Sequence, residues 1–506
     1  MPIEIADVGE PAPENPTSQW QMQLRDIIRL LQCPACSSPL KKPVTLPCGK
    51  TYCESCLPAL HRRENTSWPG TLNRQWGIHC PDIECSRAHV QGDYGPDIMV
   101  RRVLEAVETV LQNGADSPAR TGLQTTIIFE SPQKNMLTTL EGGTLLAAYK
   151  LVSLGGLERS INPGFRPHEC DARAVRAFDE ELLAQIKSAA REELSCEVCR
   201  IGRLVSPLTT PCGHTFCHMC LRKSIYLGED KNCPLCRRPL SLRFGSTPDS
   251  RPGILSAFLQ HTNELTGSVP SEEAGWDTWG CVSEDRPMLL AQALFPGMIA
   301  TLDIPDHYWV AVHRALEGDK ILAVCATING TPTGVGTLAK ILENNRFENM
   351  SRIKVMGVAR FRVSRTRAAN DGCVVGEIWP LDDISLADEE DNEARETMGN
   401  HNKNNMTCRA DVPRTATRCL SGLATYVIHK CLTKGGHAWL KEGAAFSRHF
   451  GQTFPYDPVV LPWWFANIAP ISDSQRVGLL VSKSVRERLQ ICWGWLFDFG
   501  IDRFGL

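Results

Sequence analysis

The sequence predicts a multidomain α+β chain: two small zinc-stabilised modules with helical linkers, then a β-rich unit followed by a helical bundle. Three observations predict it. Fourteen of the 22 cysteines fall into two clusters, 33–85 and 196–236. Around them apolar residues recur at helical spacing, as in Val100, Val103, Leu104, Val107 and Leu111. From about 286 the texture changes to short strand-like runs set off by Gly and Asn, and the last hundred residues return to helical spacing.

A chain of 506 residues is too long for one core, so several compact units are expected. With 42% hydrophobic and 22% charged residues and a formal charge of −3, it gives no reason to expect nucleic acid as a partner. The N-terminus is acidic and Pro-rich, unlike a signal or transit peptide. No run reaches the roughly 18 apolar residues of a membrane span, so no membrane association is expected. The expected location is cytoplasm or nucleus. In such a reducing compartment clustered cysteines signal metal rather than disulfides. The other eight (Cys170, Cys281, Cys325, Cys373, Cys408, Cys419, Cys431 and Cys492) lack ligand-like spacing and are expected to be small buried hydrophobes.

In chain order, residues 1–28 are assigned to a disordered N-terminus, although WQMQLRDIIRLLQ is helical in spacing. Residues 29–92 form the first cysteine module, and 93–180 a helical and loop linker in which 113–143 is polar enough to be a loop. The helix AVRAFDEELLAQIKSAAREEL (174–194) runs into the second module, 181–243. A linker rich in Ser, Gly, Pro and acidic residues follows at 244–284, and 285–500 is the C-terminal domain. Within it, 382–405 reads as a charged connection and the acidic run 388–393 as a solvated loop.

The second cluster carries the sharpest chemistry. Cys196, Cys199, Cys212, His214, Cys217, Cys220, Cys233 and Cys236 obey C-x2-C-x12-C-x-H-x2-C-x2-C-x12-C-x2-C. A C-x2-C turn presents two sulfurs to one ion, and zinc takes four such ligands in a tetrahedron. Eight ligands make two closed structural sites with no position for a catalytic water. In a module this small the metal supplies most of the folding free energy, about 10–16 kcal/mol per apparent site in comparable peptides.

This spacing resembles a RING finger. The resemblance implies a cross-brace, with Cys196, Cys199, Cys217 and Cys220 on one zinc and Cys212, His214, Cys233 and Cys236 on the other. It also implies that Val198 and Pro234, with Leu235 adding area, contact a ubiquitin-conjugating enzyme. Arg237, just after the last cysteine, stands where related ligases clamp ubiquitin against its carrier.

The first cluster, Cys33, Cys36, Cys48, Cys53, Cys56, Cys80 and Cys85, follows the same order, and LPCGKTYCESCL echoes TTPCGHTFCHMCL. Lys50 replaces the ligand histidine, and a protonated Lys cannot bind zinc. Cys33, Cys36, Cys53 and Cys56 complete one site; Cys48, Cys80 and Cys85 need a fourth ligand. His89 is the expected one, with His79 and His61 as alternatives. The position matching Val198 is Ala35. The module reads as a degenerate, structural RING with one or two zinc ions.

Residues 286–495 resemble the N-terminal substrate-binding domain of Lon proteases. The carrying phrases are ALFPGMIATLDIPDHYWVAVHRAL, VGTLAKI, RIKVMGVARFRV with Gly357, Arg360 and Phe361, DPVVLPWWFANIAPIS and LLVSKSVRERLQ. IPDHY departs from the usual acidic phrase of that family. Trp463 and Trp464 read as core anchors. No G-x-x-x-x-G-K-[ST] loop occurs, so neither an ATPase nor a Lon-type protease is expected. Together the modules resemble the Lon-domain RING-finger proteins, though the helical repeats of animal relatives have no counterpart in 93–180. The resemblance implies a RING-type ubiquitin-protein ligase: the chain positions a charged conjugating enzyme and selects substrate proteins through 285–500, with no nucleophile of its own. The alternative is a non-catalytic, zinc-dependent adaptor or regulatory protein.

Overall fold

The computed structural model describes residues 16–117, 122–129, 136–161, 163–167, 172–200, 204–227, 232–240, 253–263, 285–346, 350–398, 408–434, 438–449 and 454–500. Helix α1 (Pro16–Leu31) buries Leu24, Ile27, Ile28 and Leu31, one face at helical period. The disordered N-terminus expected over 1–28 is thus corrected from Pro16 onward, because that apolar stripe has a core to enter. In the first cysteine module, β1 (Pro43–Thr45) and β2 (Thr51–Cys53) form a hairpin. Strands β3 (His61–Arg62), β4 (Trp76–His79) and β5 (Ala88–Val90) make a second small sheet, and β6 (Gly95–Pro96) returns beside β1. Helix α2 (Ile98–Asp116) starts at Asp97, whose carboxylate accepts the Val100 N–H at 3.0 Å, a side-chain N-cap.

The loop expected over 113–143 is instead partly sheet. Strands β7 (Gln124–Phe129) and β8 (Met136–Glu141) pair antiparallel, and β9 (Gly164–Pro167) pairs on the other edge of β7. Leu123, Thr125 and Ile127 point inward at period two. The threonines that make this stretch polar are β-branched residues suited to a strand. Helices α3 (Thr144–Ser153) and α4 (Ala172–Glu193) follow; α4 buries Val175, Phe178, Leu182, Leu183, Ile186 and Ala190. The second module consists of β10 (Pro207–Thr209), β11 (Thr215–Cys217) and α5 (His218–Leu227) around the zinc ligands. Helix α6 (Ile254–Asn263) lies inside the segment expected as linker, and its Leu255 and Phe258 are buried. One core joins α1, α2, α3, α4, α6 and the second module through Leu31, Val103, Leu146, Leu182, Phe216 and Phe258. The described residues of 93–180 therefore share a core with the second module.

The C-terminal domain opens with β12 (Asp285–Ala291) and β13 (Ile299–Pro305), joined by the Phe295–Met298 turn. Pro296 and Gly297 occupy its centre, Gly297 has φ +76°, and the Met298 N–H reaches the Phe295 carbonyl at 3.1 Å. That combination is a type II turn, which requires a residue tolerant of positive φ. Helix α7 (Trp309–Glu317) precedes β14 (Ile321–Ile328), β15 (Thr331–Arg346), β16 (Met350–Ala368) and β17 (Val374–Pro380). The sheet runs β13-β16-β15-β14-β12-β17, and β16 also pairs with β17, which closes a barrel. Gly357 lies where β16 touches the turn: a Cβ there would come within 2.2 Å of the Phe295 carbonyl oxygen.

Helices α8 (Leu386–Thr397), α9 (Thr417–Lys434), α10 (Ala438–His449), α11 (Leu461–Ile468), α12 (Asp473–Val481) and α13 (Val485–Asp498) complete the domain. Trp463 and Trp464 are buried in this helical core. The acidic run 388–393, expected as a solvated loop, is helix, and Glu389, Glu390 and Glu393 are buried. Their burial is compensated by donors. Glu389 accepts from Ser484 Oγ (2.8 Å) and the Val485 N–H at the start of α13, and Glu393 accepts the Thr417 N–H (2.8 Å) at the start of α9. Carboxylates at helix N-termini satisfy free N–H groups and oppose the helix dipole. Arg360 is buried, donating to the Leu480 carbonyl (2.7 Å), Ser482 and Asp383. Of the scattered cysteines, Cys325, Cys373, Cys431 and Cys492 are buried, Cys419 is half-buried and Cys408 is exposed; Cys170 and Cys281 lie outside the described residues. No helix among the described residues is long and apolar enough to cross a membrane.

Candidate metal centres

Four constellations each bring four ligand atoms within 4.8 Å of one another: Cys33, Cys36, Cys53 and Cys56; Cys48, Cys80, Cys85 and His89; Cys196, Cys199, Cys217 and Cys220; Cys212, His214, Cys233 and Cys236. Edge lengths test whether zinc fits. With Zn–S about 2.3 Å and Zn–N about 2.0–2.1 Å, a tetrahedron has S···S edges near 3.8 Å and S···N edges near 3.6 Å. Cys48 and Cys80 sulfurs lie 3.8 Å apart, and those of Cys199 and Cys217 4.0 Å. His214 Nδ1 is 3.5 Å from the Cys212 sulfur and 3.6 Å from that of Cys233, and His89 Nε2 is 3.5 Å from that of Cys85. The donor sets and edges match zinc.

Local geometry explains the pairing. In each module the hairpin carries the middle ligands back to the first C-x2-C turn, and backbone N–H groups point at sulfur. Cys53 N–H reaches Cys33 Sγ at 3.4 Å and Lys41 N–H reaches Cys53 Sγ at 3.2 Å. Cys217 N–H reaches Cys196 Sγ at 3.4 Å, and Val205 N–H reaches Cys217 Sγ at 3.1 Å. Ser37, Ser86, Arg200 and Arg237, each just after a cysteine pair, all have φ between 51° and 58°. Burial, with neighbouring sulfurs adding, pushes the Cys48, Cys53 and Cys217 thiols up to about 12. Without a cation these groups keep their protons at neutral pH, so zinc is what permits the packed thiolates.

His89 lies among the ligands at the position the sequence left open. His61 and His79 do not: their rings stack on each other, 4.1 Å between centroids and 7° between planes. Lys50, in the place of His214, lies 3.6 Å from Asp82. Val198 is 41% and Leu235 48% exposed, and Pro234 and Arg237 are also exposed, so all four are presented to solvent on the second module. Ala35 is exposed on the first module, as is Ile83 at 91%, in the last cysteine turn of that module.

Sequence reasoning missed Asp97, whose Oδ2 accepts from Thr45 Oγ1 (2.7 Å) in the first module and Thr209 Oγ1 (3.3 Å) in the second. The signal was present in the echo of VTLPCGK and LTTPCGH, which sets a threonine three residues before each middle cysteine.

Comparison with known proteins agrees with this layout. The model of the ATP-dependent protease La (LON) substrate-binding domain matches residues 287–497. Two models of C3HC4-type RING zinc fingers match 195–236 and 33–68. A LON peptidase N-terminal domain and RING finger protein of Schizosaccharomyces pombe is 25% identical over 313 residues, covering 60% of this chain and 58% of that protein. In this layout the chain is similar to the Lon-domain RING-finger proteins, with one Lon substrate-binding domain and two RING-type zinc fingers. An E3 ubiquitin-protein ligase of Danio rerio is 33% identical over 100 residues, 20% of this chain and 2% of that protein. The chain thus spans under two thirds of the length of both relatives. The Lon N-terminal domain protein from Xanthomonas campestris is similar at 20% identity and a TM-score of 0.27, over 42% of this chain and 97% of that one. The two RING modules are zinc modules, and the C-terminal domain is of the Lon substrate-binding type.

Proposed function

We propose that this chain is a RING-type ubiquitin-protein ligase whose second module positions a charged ubiquitin-conjugating enzyme. The observation that carries the reading is the exposure of four side chains at the cysteine turns of that module. Val198 in one cysteine turn and Pro234 and Leu235 in the other are exposed, as is Arg237 just after the last cysteine. Exposed apolar side chains and an arginine suit a protein partner. A relative named as an E3 ubiquitin-protein ligase supports the same direction.

The chain would contribute no nucleophile. The conjugating enzyme brings the thioester, and the RING holds it in a geometry open to a substrate lysine, so the gain is one of positioning. The zinc ions, each closed by four protein ligands, fix loop shape and leave no position for water. Residues 285–500 would hold the target. The first module, with Ala35 in the place of Val198, contributes structure.

The test is reconstituted ligation. The full chain, with ubiquitin, activating enzyme, ATP and a panel of conjugating enzymes, yields ubiquitin conjugates with at least one of them. Absence of conjugates above background with every member leaves the adaptor reading.

A further inference from the structure

Cys220 and Cys233 of the second module are separated by 12 residues; their counterparts Cys56 and Cys80 are separated by 23. The extra length does not sit idle on the surface. It carries Arg63, Ser67, Trp68 and Arg74 onto α8 and the helical core of the Lon-type domain.

The contact is closed to solvent. Glu390 is 1% exposed in its side chain, Arg63 6% and Arg74 4%. Arg74 grips Glu390 with two nitrogens, Nε at 2.6 Å and Nη2 at 3.0 Å, and its other side pairs with Asp93 of its own module. Arg63 reaches the same Glu390 carboxylate, and also Asp391 at 3.4 Å. Ser67 donates its N–H (3.0 Å) and hydroxyl to Glu393, and its Oγ accepts the Arg418 N–H at 3.0 Å. Trp68 packs against the helical core. Glu389 and Glu393 cap α13 and α9, whereas Glu390 is held by Arg63 and Arg74 of the insert. A carboxylate buried this deeply is tolerated only with its cations in place.

We propose that the 57–79 insert makes the first zinc module a docking module for the chain's own Lon-type domain. The partner surface is the acidic face of α8, read by Arg63 and Arg74 through Glu390 and by Ser67 through Glu393. A second contact, Arg222 of α5 to Asp382 at 2.6 Å, ties the second module to the segment just before α8. Both modules thereby hold the Lon-type domain at a set position, while Val198 and Leu235 remain exposed. Zinc at Cys48, Cys80, Cys85 and His89 closes the far end of the insert, so this site shapes the docking loop. The docking itself stands apart from the ligase reading.

Hydrogen exchange on the full-length chain tests it. In the wild type, amides of 57–79 around Ser67 and those of α8 exchange slowly. Glu390→Arg, which sets a third cation against Arg63 and Arg74, speeds exchange in both segments by about tenfold or more. Zinc content and protection of the second module and barrel are unchanged. Should that variant disturb the barrel, the double change Arg63→Ser and Trp68→Ser, made on the module side, is read by the same criterion. Unprotected Ser67 amides in the wild type, or unchanged exchange of α8 in the module-side variant, overturns the docking. Failure of every conjugating enzyme in the ligation assay would leave it standing.

Discussion

Thr45 and Thr209, equivalent residues of the two zinc modules, donate to the same carboxylate oxygen, Asp97 Oδ2, at 2.7 and 3.3 Å. Each is also 2.8–2.9 Å from its hairpin partner, Thr51 or Thr215. Asp97 is 1% exposed and caps α2 as well. Burial holds its carboxyl above the ordinary range despite these bonds. The two modules are therefore paired within one chain around a shared acceptor.

Asp97→Ala removes a helix cap and leaves two half-buried hydroxyls short of an acceptor. The cap is worth about 1–2 kcal/mol and each lost hydrogen bond about 0.5–1 kcal/mol, so a destabilisation of roughly 2–4 kcal/mol is expected. Urea unfolding followed by circular dichroism measures it. Thr45→Val, which removes one donor only, should cost less than half as much.

Zinc content separates the readings of the first module. Four ions per chain are expected, because His89 closes the site that Lys50 cannot. His89→Ala lowers the count to about three, and Lys50→His leaves it at four, since the Cys48 site already has its ligands. Four zinc ions retained by His89→Ala would show that His89 is not a ligand.

Asp179 gives a pH signature. It is fully buried and accepts the Thr144 and Leu145 N–H groups at 2.9 and 3.1 Å, satisfying the start of α3 from α4. Burial outweighs those bonds and pushes its carboxyl up to about 6. Between the unfolded value near 3.9 and about 6 the folded chain binds more protons than the unfolded one. The stability this group confers is therefore full below about pH 4, declines as pH rises to about 6, and is flat above. Asp179→Asn lacks this decline. The stability of wild type relative to Asp179→Asn should fall by roughly 2–3 kcal/mol between pH 4 and 7; a constant difference would contradict the assignment.

These predictions rest on features of unequal legibility. The zinc ligands were readable because tetrahedral coordination fixes residue type and spacing together, and even His89 stands at a ligand-like distance from Cys85. The Trp463–Trp464 anchors were readable for a similar local reason. Residues 388–393 were not. An acidic run belongs in water unless donors from far along the chain meet it, and Arg63, Arg74 and the amides of Thr417 and Val485 are such donors. Strands β7 and β8 were missed because threonine counts toward a polar loop in composition and toward a strand in backbone preference.

Removing a capping carboxylate from that run should be severe. Glu389→Ala strips the acceptor from Ser484 and Val485 and leaves the start of α13 unsatisfied in a buried setting. A loss of about 2–4 kcal/mol is expected, confined to the C-terminal domain and seen as faster hydrogen exchange in α13.

The most direct test of the ligase assignment is single-turnover discharge of ubiquitin from a charged conjugating enzyme onto free lysine, with and without the full chain. The account predicts acceleration by the wild type. Val198→Ala, an exposed change that leaves the fold within about 0.5 kcal/mol, should lose most of that acceleration by weakening recruitment. Arg237→Ala should slow discharge while the conjugating enzyme still binds. Discharge at the unassisted rate with the wild type, across the panel, would contradict the account.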